Sequence, residues 1–401
     1  MPETHQQWNV TGTSGFDSLK LDSSAPVPTV TDSAVLVKLS AASLNYRDLA
    51  IPNGKYPFPV APNVIPGSDG AGTVVAVGKA VTKFKEGDKV LTLFNQGHLA
   101  GSLDFAAIGT GLGGAVDGTF REYAAFSEQG LVHQPSSLSF LEGSTLTCAG
   151  LTAWNALYGL KALKPGDYVL TQGTGGVSIF AVQFAKAAGA KVIATTSSAA
   201  KTEKLKSLGA DHVINYKETP NWGEEAKKLT PGGRGVQHVL EVGGPATMAQ
   251  SLKAIAFDGV ISIIGFLGGG HSEGQPGFLD CLMNICTVRG VLVGSRLQFE
   301  EMNRAIEANG IKPVVDEKVF KLKELKEAYQ YMWDQKHFGK LCINSTKRDS
   351  EERHIDLVRV GPEADITACY RDAATIVRKY CAAIKVRTVS TVSPRLSQLQ
   401  L

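Results

Sequence analysis

The first residues whose types and spacing could support chemistry form a glycine-rich stretch in the middle of the 401-residue chain, Gly173-Thr174-Gly175-Gly176-Val177-Ser178. It lies between a short apolar run typical of a strand, residues 168–171, and an amphipathic pattern typical of a helix. In that context one glycine allows a tight turn and another lets the backbone approach a pyrophosphate, while the amides at the helix N-terminus bind the phosphates. Ser178 replaces the third fingerprint glycine and is small enough for close helix–strand packing. The stretch therefore predicts a dinucleotide site, against the alternative of a tight turn without a ligand.

The residues after the next predicted strand indicate which nucleotide this site prefers. Sites for NAD usually carry an Asp or Glu about 20 residues beyond the glycines, where it binds the ribose 2′-hydroxyl. This chain instead has Thr195-Thr196-Ser197-Ser198-Ala199-Ala200-Lys201. Hydroxyl groups and an ammonium suit a 2′-phosphate. We therefore predict NADPH rather than NADH, with contacts from Ser197, Ser198 and Lys201; the alternative is that Lys201 is a solvated lysine that opens the next helix.

Two kinds of element must position this loop. Before residue 135 the apolar runs are short and broken by Gly and Pro, which predicts a small irregular β-barrel, with residues 97–118 as a long loop. After residue 135, short apolar runs alternate with helical patterns, which predicts a parallel sheet covered on both faces. Residues 298–346 then predict two helices and a closing strand, Gly339–Asn344.

Four motifs in this order resemble those of the medium-chain dehydrogenase/reductase superfamily, in the zinc-type alcohol dehydrogenase-like and quinone oxidoreductase-like branch. They are Leu44-Asn45-Tyr46-Arg47-Asp48, Gly67-Ser68-Asp69-Gly70-Ala71-Gly72, Cys148-Ala149-Gly150-Leu151-Thr152-Ala153-Trp154 and Gly209-Ala210-Asp211-His212-Val213-Ile214-Asn215-Tyr216. The resemblance covers residues 1–345.

The resemblance implies an α/β fold with a GroES-like irregular β-barrel domain and a Rossmann domain with a doubly wound parallel sheet. The implied boundaries are 1–135 for the GroES-like catalytic domain, 136–295 for the Rossmann NAD(P)-binding domain and 296–346 for a segment that returns to the catalytic domain. Residues 347–401 match nothing and are expected to be poorly ordered, with a helix possible over 364–384. The active site is expected in the cleft between the two domains.

The resemblance also assigns roles to individual residues. It places Asn45, Tyr46 and Thr152 at the catalytic cleft, where the Tyr46 phenol would donate a hydrogen bond to a substrate carbonyl; the alternative for Tyr46 is a packed core tyrosine. It places Tyr216 beside the adenine, and Gly243 and Gly265 at strand ends that face the cofactor. The glycine-loop residues Gly173, Thr174, Gly175, Gly176 and Val177 complete the expected cofactor contacts.

Zinc is not expected, because the chain departs from the zinc-dependent relatives at their ligand positions. Those relatives have Cys where this chain has Asn45, and a His-Glu pair where it has Ser68-Asp69, so that Cys148 alone matches a ligand. A catalytic zinc ion needs three protein ligands. Residues 90–125 contain no cysteine for the family's structural zinc lobe. Asp69 and the Arg47–Asp48 pair are expected to be structural, Cys281 and Cys286 buried, and His98 either pocket-lining or exposed.

Composition excludes several function classes. From Lys347 onward the chain has ten Lys/Arg and seven Asp/Glu, which leaves 31 of each in the first 346 residues, so the body lacks the basic excess of a nucleic-acid-binding protein. No apolar run approaches the roughly 20 residues that cross a bilayer. The polar N-terminus and the scattered cysteines favour a cytoplasmic protein.

These features predict a zinc-independent, NADPH-dependent oxidoreductase that reduces an activated double bond of a small enone or quinone. Two alternatives remain open: an alcohol dehydrogenase or carbonyl reductase, and a low-turnover nucleotide-binding or regulatory protein. The apolar run Val288–Val293 resembles a dimer-forming edge strand, so a homodimer is expected, with no nucleic-acid or membrane partner.

Overall fold

A computed structural model describes residues 2–265 and 274–346, and these residues form two lobes built on a seven-stranded and a six-stranded sheet, with a separate two-stranded sheet near the N-terminus. The described strands are β1 (Thr4–Val10), β2 (Leu19–Pro26), β3 (Ala34–Ser43), β4 (Asp69–Val77), β5 (Lys89–Thr92), β6 (Tyr123–Ser127), β7 (Leu131–His133), β8 (Tyr168–Gln172), β9 (Lys191–Thr196), β10 (His212–Asn215), β11 (Val236–Glu241), β12 (Ile255–Ile263), β13 (Thr287–Gly290), β14 (Phe320–Lys321) and β15 (Cys342–Asn344). The described α-helices are α1 (Tyr46–Ala50), α2 (Phe105–Ile108), α3 (Phe140–Ser144), α4 (Leu151–Tyr158), α5 (Gly176–Ala187), α6 (Ala199–Ser207), α7 (Trp222–Lys228), α8 (Pro245–Ala254), α9 (Phe278–Met283), α10 (Arg296–Asn309) and α11 (Leu325–Trp333). The helix expected over 364–384 lies outside the described residues.

The second lobe contains a six-stranded parallel sheet in the order β10-β9-β8-β11-β12-β13. Alternate residues along its strands enter different cores: Val169 and Leu240 pack with α4 and α5, whereas Leu170 and Val239 pack with the residues of α7 and α8. Both faces of the sheet are therefore covered by helices, which confirms the expected Rossmann architecture.

The strand order places the glycine-rich loop at a crevice. Strand β8 lies between β9 and β11, so the chain leaves β8 toward one side of the sheet and returns later on the other. Ligands of open parallel sheets bind at the carboxyl ends of such neighbouring strands. Residues 173–175 follow β8 directly.

The first lobe is built around β3, which pairs with β4, β6 and β15. Strand β4 must approach β3 closely, since a Cβ on Gly72 would lie 2.3 Å from the Lys38 carbonyl oxygen, and this explains one glycine of the Gly67–Gly72 motif. Because β14 and β15 pair with each other and β15 pairs with β3, the end of the described chain completes the sheet of the first lobe.

Three local expectations need correction. The loop 97–118 contains a short helix, α2. Asp104 caps its start, because the Asp104 carboxylate accepts a hydrogen bond from the Ala107 backbone amide. Strand β13 ends at Gly290, and Val293 is buried in the core, so only the first part of the run Val288–Val293 is strand. Cys281 and Cys286 are half-buried rather than buried. In the part of the chain that the structure describes, no helix has the length and apolar character needed to cross a membrane.

Candidate active site

The glycine-rich loop forms an open cradle at the start of α5. Gly173 has a φ of 74°, a conformation that favours glycine, and Gly175 is the N-cap of α5. A Cβ added to Gly173 or Gly175 would find no atom within 4 Å, so space lies above the loop. Ser178 is buried, and its hydroxyl donates to the Gln172 carbonyl at 2.6 Å, which holds the helix against β8. The loop therefore fits the phosphates of a dinucleotide.

The residues expected at the 2′-phosphate lie between β9 and α6. Ser198 is the N-cap of α6, and its amide donates to the Thr196 hydroxyl at 3.2 Å. The Lys201 ammonium donates to the Thr174 hydroxyl and to the His337 carbonyl, both at 3.3 Å, so it reaches back to the glycine loop. Burial lowers the pKa of Lys201, and the nearby Asp316 opposes this effect. Lys201 is thus half-buried beside the loop rather than fully solvated.

The remaining expected cofactor residues lie at the same edge of the sheet. Tyr216 follows β10, is 41% exposed, and its amide donates to the Thr196 carbonyl at 3.0 Å. The amides of Gly243 and Gly244 donate to the buried Glu241 carboxylate at 2.9 Å each, and the Gly265 amide donates to the Glu241 carbonyl at 3.3 Å. The loops after β11 and β12 are therefore held by Glu241, while their contact with a nucleotide stays a prediction.

Four polar side chains converge at the point where β3, β4 and β15 meet. The Lys340 ammonium donates to the Asn45 side-chain oxygen at 2.6 Å and to the Asp69 carboxylate at 3.3 Å. The Asn45 side-chain nitrogen donates to the Ser68 hydroxyl at 3.4 Å, and that hydroxyl donates to Asp69 at 2.7 Å. All four are buried. We call Asn45, Ser68, Asp69 and Lys340 the polar cluster.

Helix α1 presents Asn45 and Tyr46 at the edge of this cluster. Asn45 is the N-cap of α1, and its backbone amide donates to the Asp48 carboxylate at 2.8 Å. Burial raises the pKa of Asp48 to about 6, although Arg47, 3.6 Å away, opposes this rise. Arg47 and Asp48 do form a pair, as expected. Tyr46 is half-buried against the core of the first lobe, so its packing is observed while its contact with a substrate stays a prediction.

The Cys148 motif forms a π-helical turn, Leu146–Gly150, that leads into α4. Such turns occur often at functional sites. Thr152 is buried in the first turn of α4. Ala149 lies 3.1 Å from a Cβ built on Gly176, so this turn abuts the start of α5. The turn thus places the Cys148 segment beside the glycine loop.

The polar cluster does not fit a catalytic zinc ion. Zinc prefers thiolate, imidazole and carboxylate ligands, whereas Asn45 and Ser68 offer an amide and a hydroxyl. Burial, assisted by the Asp69 carboxylate, raises the pKa of the Cys148 thiol to about 12, and one thiol falls short of the three protein ligands that a catalytic zinc ion needs. The Asp69 carboxylate already accepts from Ser43, Ser68 and Lys340. Across the described ranges, 2–265 and 274–346, no group of three His, Cys, Asp or Glu residues is placed to hold a metal ion.

Sequence reasoning did not single out Lys340. Lys340 precedes an apolar run, Leu341-Cys342-Ile343, and a lysine at the start of a strand normally reads as a solvated residue. Lys340 falls within the predicted closing strand Gly339–Asn344, whereas the observed strand β15 begins only at Cys342. Asp69, expected to be structural only, belongs to the polar cluster. His98 is buried, and one ring nitrogen lies 3.0 Å from the Gly101 carbonyl, so the alternative that it is exposed was wrong.

The returning segment connects the polar cluster with the glycine loop. The Gly339 amide donates to the Thr174 carbonyl at 3.1 Å, and Gly175 and Gly339 form an isolated parallel bridge. A Cβ on Gly176 would lie 2.5 Å from Cδ of Lys340. Residues 337–340 therefore lie beside the glycine loop, and the Lys340 side chain extends from there to Asn45.

A barrel-like lobe, a Rossmann lobe with its glycine loop, and a returning segment that contacts both this loop and the polar cluster are together typical of an oxidoreductase of the NAD(P)-dependent dehydrogenase type. Residues 31–136 match the model of the alcohol dehydrogenase GroES-like domain, and residues 176–308 match that of the zinc-binding dehydrogenases.

Comparison with individual proteins agrees with this class. A zinc-type alcohol dehydrogenase-like protein of Schizosaccharomyces pombe is 48% identical over 334 residues, which cover 82% of this chain and 96% of the relative. A crystal structure from Sinorhizobium meliloti, assigned as an alcohol dehydrogenase, is 41% identical with a TM-score of 0.79 and covers 86% of this chain and 100% of its own. An NADPH-dependent alkenal/one oxidoreductase of Arabidopsis thaliana is 29% identical over 348 residues, which cover 86% of this chain and 80% of that protein. The chain belongs to the medium-chain dehydrogenase/reductase superfamily, in its zinc-type alcohol dehydrogenase-like branch, and the expected family, fold class and enzyme class are confirmed.

Proposed function

We propose that this chain is a zinc-independent, NADPH-dependent reductase of activated carbon–carbon double bonds, with small enones or quinones as substrates. The observation that carries the proposal is the buried Lys340 ammonium, which donates to Asn45 and Asp69 at the positions where zinc-dependent relatives hold their metal ligands. A resident cation there opposes a second, divalent one, because like charges at hydrogen-bonding distances repel strongly in a buried site.

The reaction class follows from what such a site can stabilise. Alcohol oxidation requires the hydroxyl to lose its proton as hydride leaves, and zinc normally stabilises the resulting alkoxide. Conjugate reduction instead develops negative charge on an enolate oxygen, which hydrogen-bond donors can stabilise. Asn45 and Tyr46, adjacent at the start of α1, supply an amide and a phenol for that oxygen. The polar cluster thus suits the reduction better than the oxidation.

The cofactor assignment rests on the cradle and on the residues after β9. NADPH, when bound, supplies the hydride. The amides of residues 173–176 would hold its pyrophosphate, and Ser197, Ser198 and Lys201 would hold its 2′-phosphate, as expected from the sequence. The alkenal/one oxidoreductase among the relatives is NADPH-dependent, which supports the same choice.

Alcohol dehydrogenase or carbonyl reductase activity is the second candidate. The observation that favours it is the description of the Schizosaccharomyces pombe relative and of the Sinorhizobium meliloti structure as alcohol dehydrogenase-like. A side-chain relay would then have to replace the Lewis acid.

We also propose that the protein is cytoplasmic and forms a homodimer that pairs through β13 and α9. The dimer rests on the edge position of β13 and on the exposed apolar side chains of α9.

A substrate panel tests the proposal. Purified protein is mixed with NADPH and 2-cyclohexen-1-one or 1,4-benzoquinone, and separately with NADP⁺ and cyclohexanol or ethanol, while absorbance of the reduced nucleotide is followed. We expect turnover with the enone or the quinone and at least about tenfold lower kcat/KM with the alcohols, since one missing stabilising interaction typically costs that much or more. Brisk alcohol oxidation with no enone or quinone turnover would support the second candidate, and nucleotide binding without any turnover would support a binding protein.

A further inference from the structure

The buried side chain of Lys340 connects two parts of the site that sequence reasoning treated separately. Its ammonium has three acceptors, the Leu44 carbonyl and the Asn45 side-chain oxygen at 2.6 Å each and the Asp69 carboxylate at 3.3 Å. An ammonium has three N–H donors and no acceptor. Its hydrogen-bonding capacity is therefore filled by protein groups, which leaves no N–H of Lys340 for a substrate.

The contacts of Lys340 fix the orientation of the Asn45 side-chain amide. Because the ammonium only donates, the amide oxygen must face it and the amide nitrogen must face Ser68. The next link agrees, since the Ser68 hydroxyl donates its proton to Asp69 and so accepts from Asn45. The hydrogen bonds of the polar cluster thus form one chain of donors and acceptors, which begins at the Lys340 ammonium and ends at the Asp69 carboxylate.

We propose that Lys340 is a positioning residue that orients the Asn45 amide so that its nitrogen can donate to the substrate oxygen. One N–H of that nitrogen is assigned to Ser68 and the second to the oxygen on which negative charge develops. An amide rotated by 180° would present its oxygen to that charge and would repel it. The proposal rests on the proposed function for the identity of the oxygen, an enolate, and on the geometry for the role of Lys340.

The stem of Lys340 gives this role a second anchor. The stem lies against Gly176, the first residue of α5, where an added Cβ would come within 2.5 Å of Cδ of Lys340. The neighbouring Gly339 amide is bonded to Thr174 of the glycine loop. The loop that would hold the nucleotide therefore also contacts the lysine that orients Asn45. This contact would keep the hydride donor, NADPH, and the Asn45 amide in a fixed position relative to each other.

A double-mutant cycle tests the proposal. The variants are Lys340→Met, which keeps the stem and removes the ammonium, Asn45→Ala, and the two combined. Measured are kcat with the fastest substrate of the panel, the Kd for NADPH, and the Kd of the NADP⁺ complex for cyclohexanone, which requires no turnover. We expect Lys340→Met to lower kcat about ten- to a hundredfold while the Kd for NADPH changes by less than about threefold. In the Asn45→Ala background the same substitution should lower kcat by no more than about twofold, because its effect passes through Asn45.

Removal of the ammonium leaves the Asp69 carboxylate without a cation, so the fold needs its own check. Lys340→Met/Asp69→Asn removes both charges; we expect it to melt close to the wild type and to stay as slow as Lys340→Met. The positioning role would be overturned if Lys340→Met lowered kcat and the affinity for cyclohexanone equally in the wild type and in the Asn45→Ala background. Recovery of kcat in Lys340→Met/Asp69→Asn would overturn it as well. Failure of the proposed function would be recognised separately, because the wild type would then turn over alcohols but no enone or quinone. In that case the double-mutant cycle is measured with the alcohol as substrate.

Discussion

Lys201 lies where the two parts of the proposed nucleotide site meet. Its ammonium donates to Thr174 in the glycine loop and to the His337 carbonyl in the returning segment. Burial lowers the pKa of Lys201 and, with Lys201 nearby, also that of His337. An anionic phosphate beside these groups would replace neutral oxygens as the acceptor of the ammonium, and charge-assisted bonds of that kind are the stronger ones.

The Lys201→Ala variant should therefore discriminate between the two nucleotides. We expect the Kd for NADPH to rise about ten- to a hundredfold and that for NADH to change by less than about threefold, since a hydrogen bond to a charged group contributes about 1.5–3 kcal/mol. Nucleotide fluorescence titration measures both constants. Lys206→Ala is the matched control, because Lys206 lies on the same helix and pairs with Glu203 on the surface. Equal affinity of the unmutated protein for NADPH and NADH would contradict the assignment of the 2′-phosphate site.

At the residue scale, the sequence predicted the parts of the site that depend on local conformation. The glycine loop and Ser178 act over a few neighbouring residues, so their spacing alone indicates a strand–turn–helix geometry. The polar cluster depends instead on a contact between residues 295 positions apart, Lys340 and Asn45. No local pattern marks such a contact, because a lysine is normally solvated and its burial depends on partners that only the fold brings together.

At the element scale, strand β13 and helix α9 form an edge that favours pairing with another chain. β13 is the last strand of its sheet, and α9 carries Phe278 at 98% and Met283 at 72% exposure. Leu282 and Ile285 are also more than half exposed. Exposed apolar side chains beside the edge strand of a sheet, as found here among the described residues, are typical of an interface. A dimer with a two-fold axis would bury these side chains of both protomers in one interface.

The double variant Phe278→Ser/Leu282→Ser should weaken this dimer. We expect the wild type to have twice the 42.5 kDa chain mass at micromolar concentration and the variant to dissociate, since each buried apolar side chain contributes about 1.5–3 kcal/mol. Light scattering after size-exclusion chromatography measures the mass. Phe105→Ser is the control, because Phe105 is 92% exposed on α2 and lies in the other lobe. A monomeric wild type at micromolar concentration would rule the dimer out.

Elements with strong periodicity were predicted well, and those shaped by tertiary contacts were not. The strands of the parallel sheet and helix α5 follow their apolar patterns because burial on both faces dictates the residue types. The run Val288–Val293 reads as one strand, yet β13 ends at Gly290 and Val293 turns into the core with a φ of 55°. The Val293 carbonyl accepts from the Asn155 side chain at 2.7 Å, a contact that a local pattern does not reveal.

At the scale of the whole molecule, the end of the described chain contacts both parts of the proposed active site. Strand β15 completes the sheet of the first lobe, while the preceding residues 337–340 cross the glycine loop of the second. Lys340 lies between these two functions and brings a positive charge into the polar cluster. One returning segment therefore joins the two lobes, contacts the glycine loop and places Lys340 among Asn45, Ser68 and Asp69, the positions to which the motif resemblance assigns zinc ligands in other members of the superfamily.

Metal content measured together with activity tests this account most directly. The protein is purified with and without a chelator, its zinc is quantified by mass spectrometry, and NADPH-dependent reduction of 2-cyclohexen-1-one is assayed on the same samples. We predict less than about 0.1 zinc per chain and the same turnover in both preparations, because a buried ammonium, an amide and a hydroxyl stand where a zinc site would need at least three protein ligands. About one zinc per chain, with activity that chelation abolishes and added zinc restores, would contradict the account.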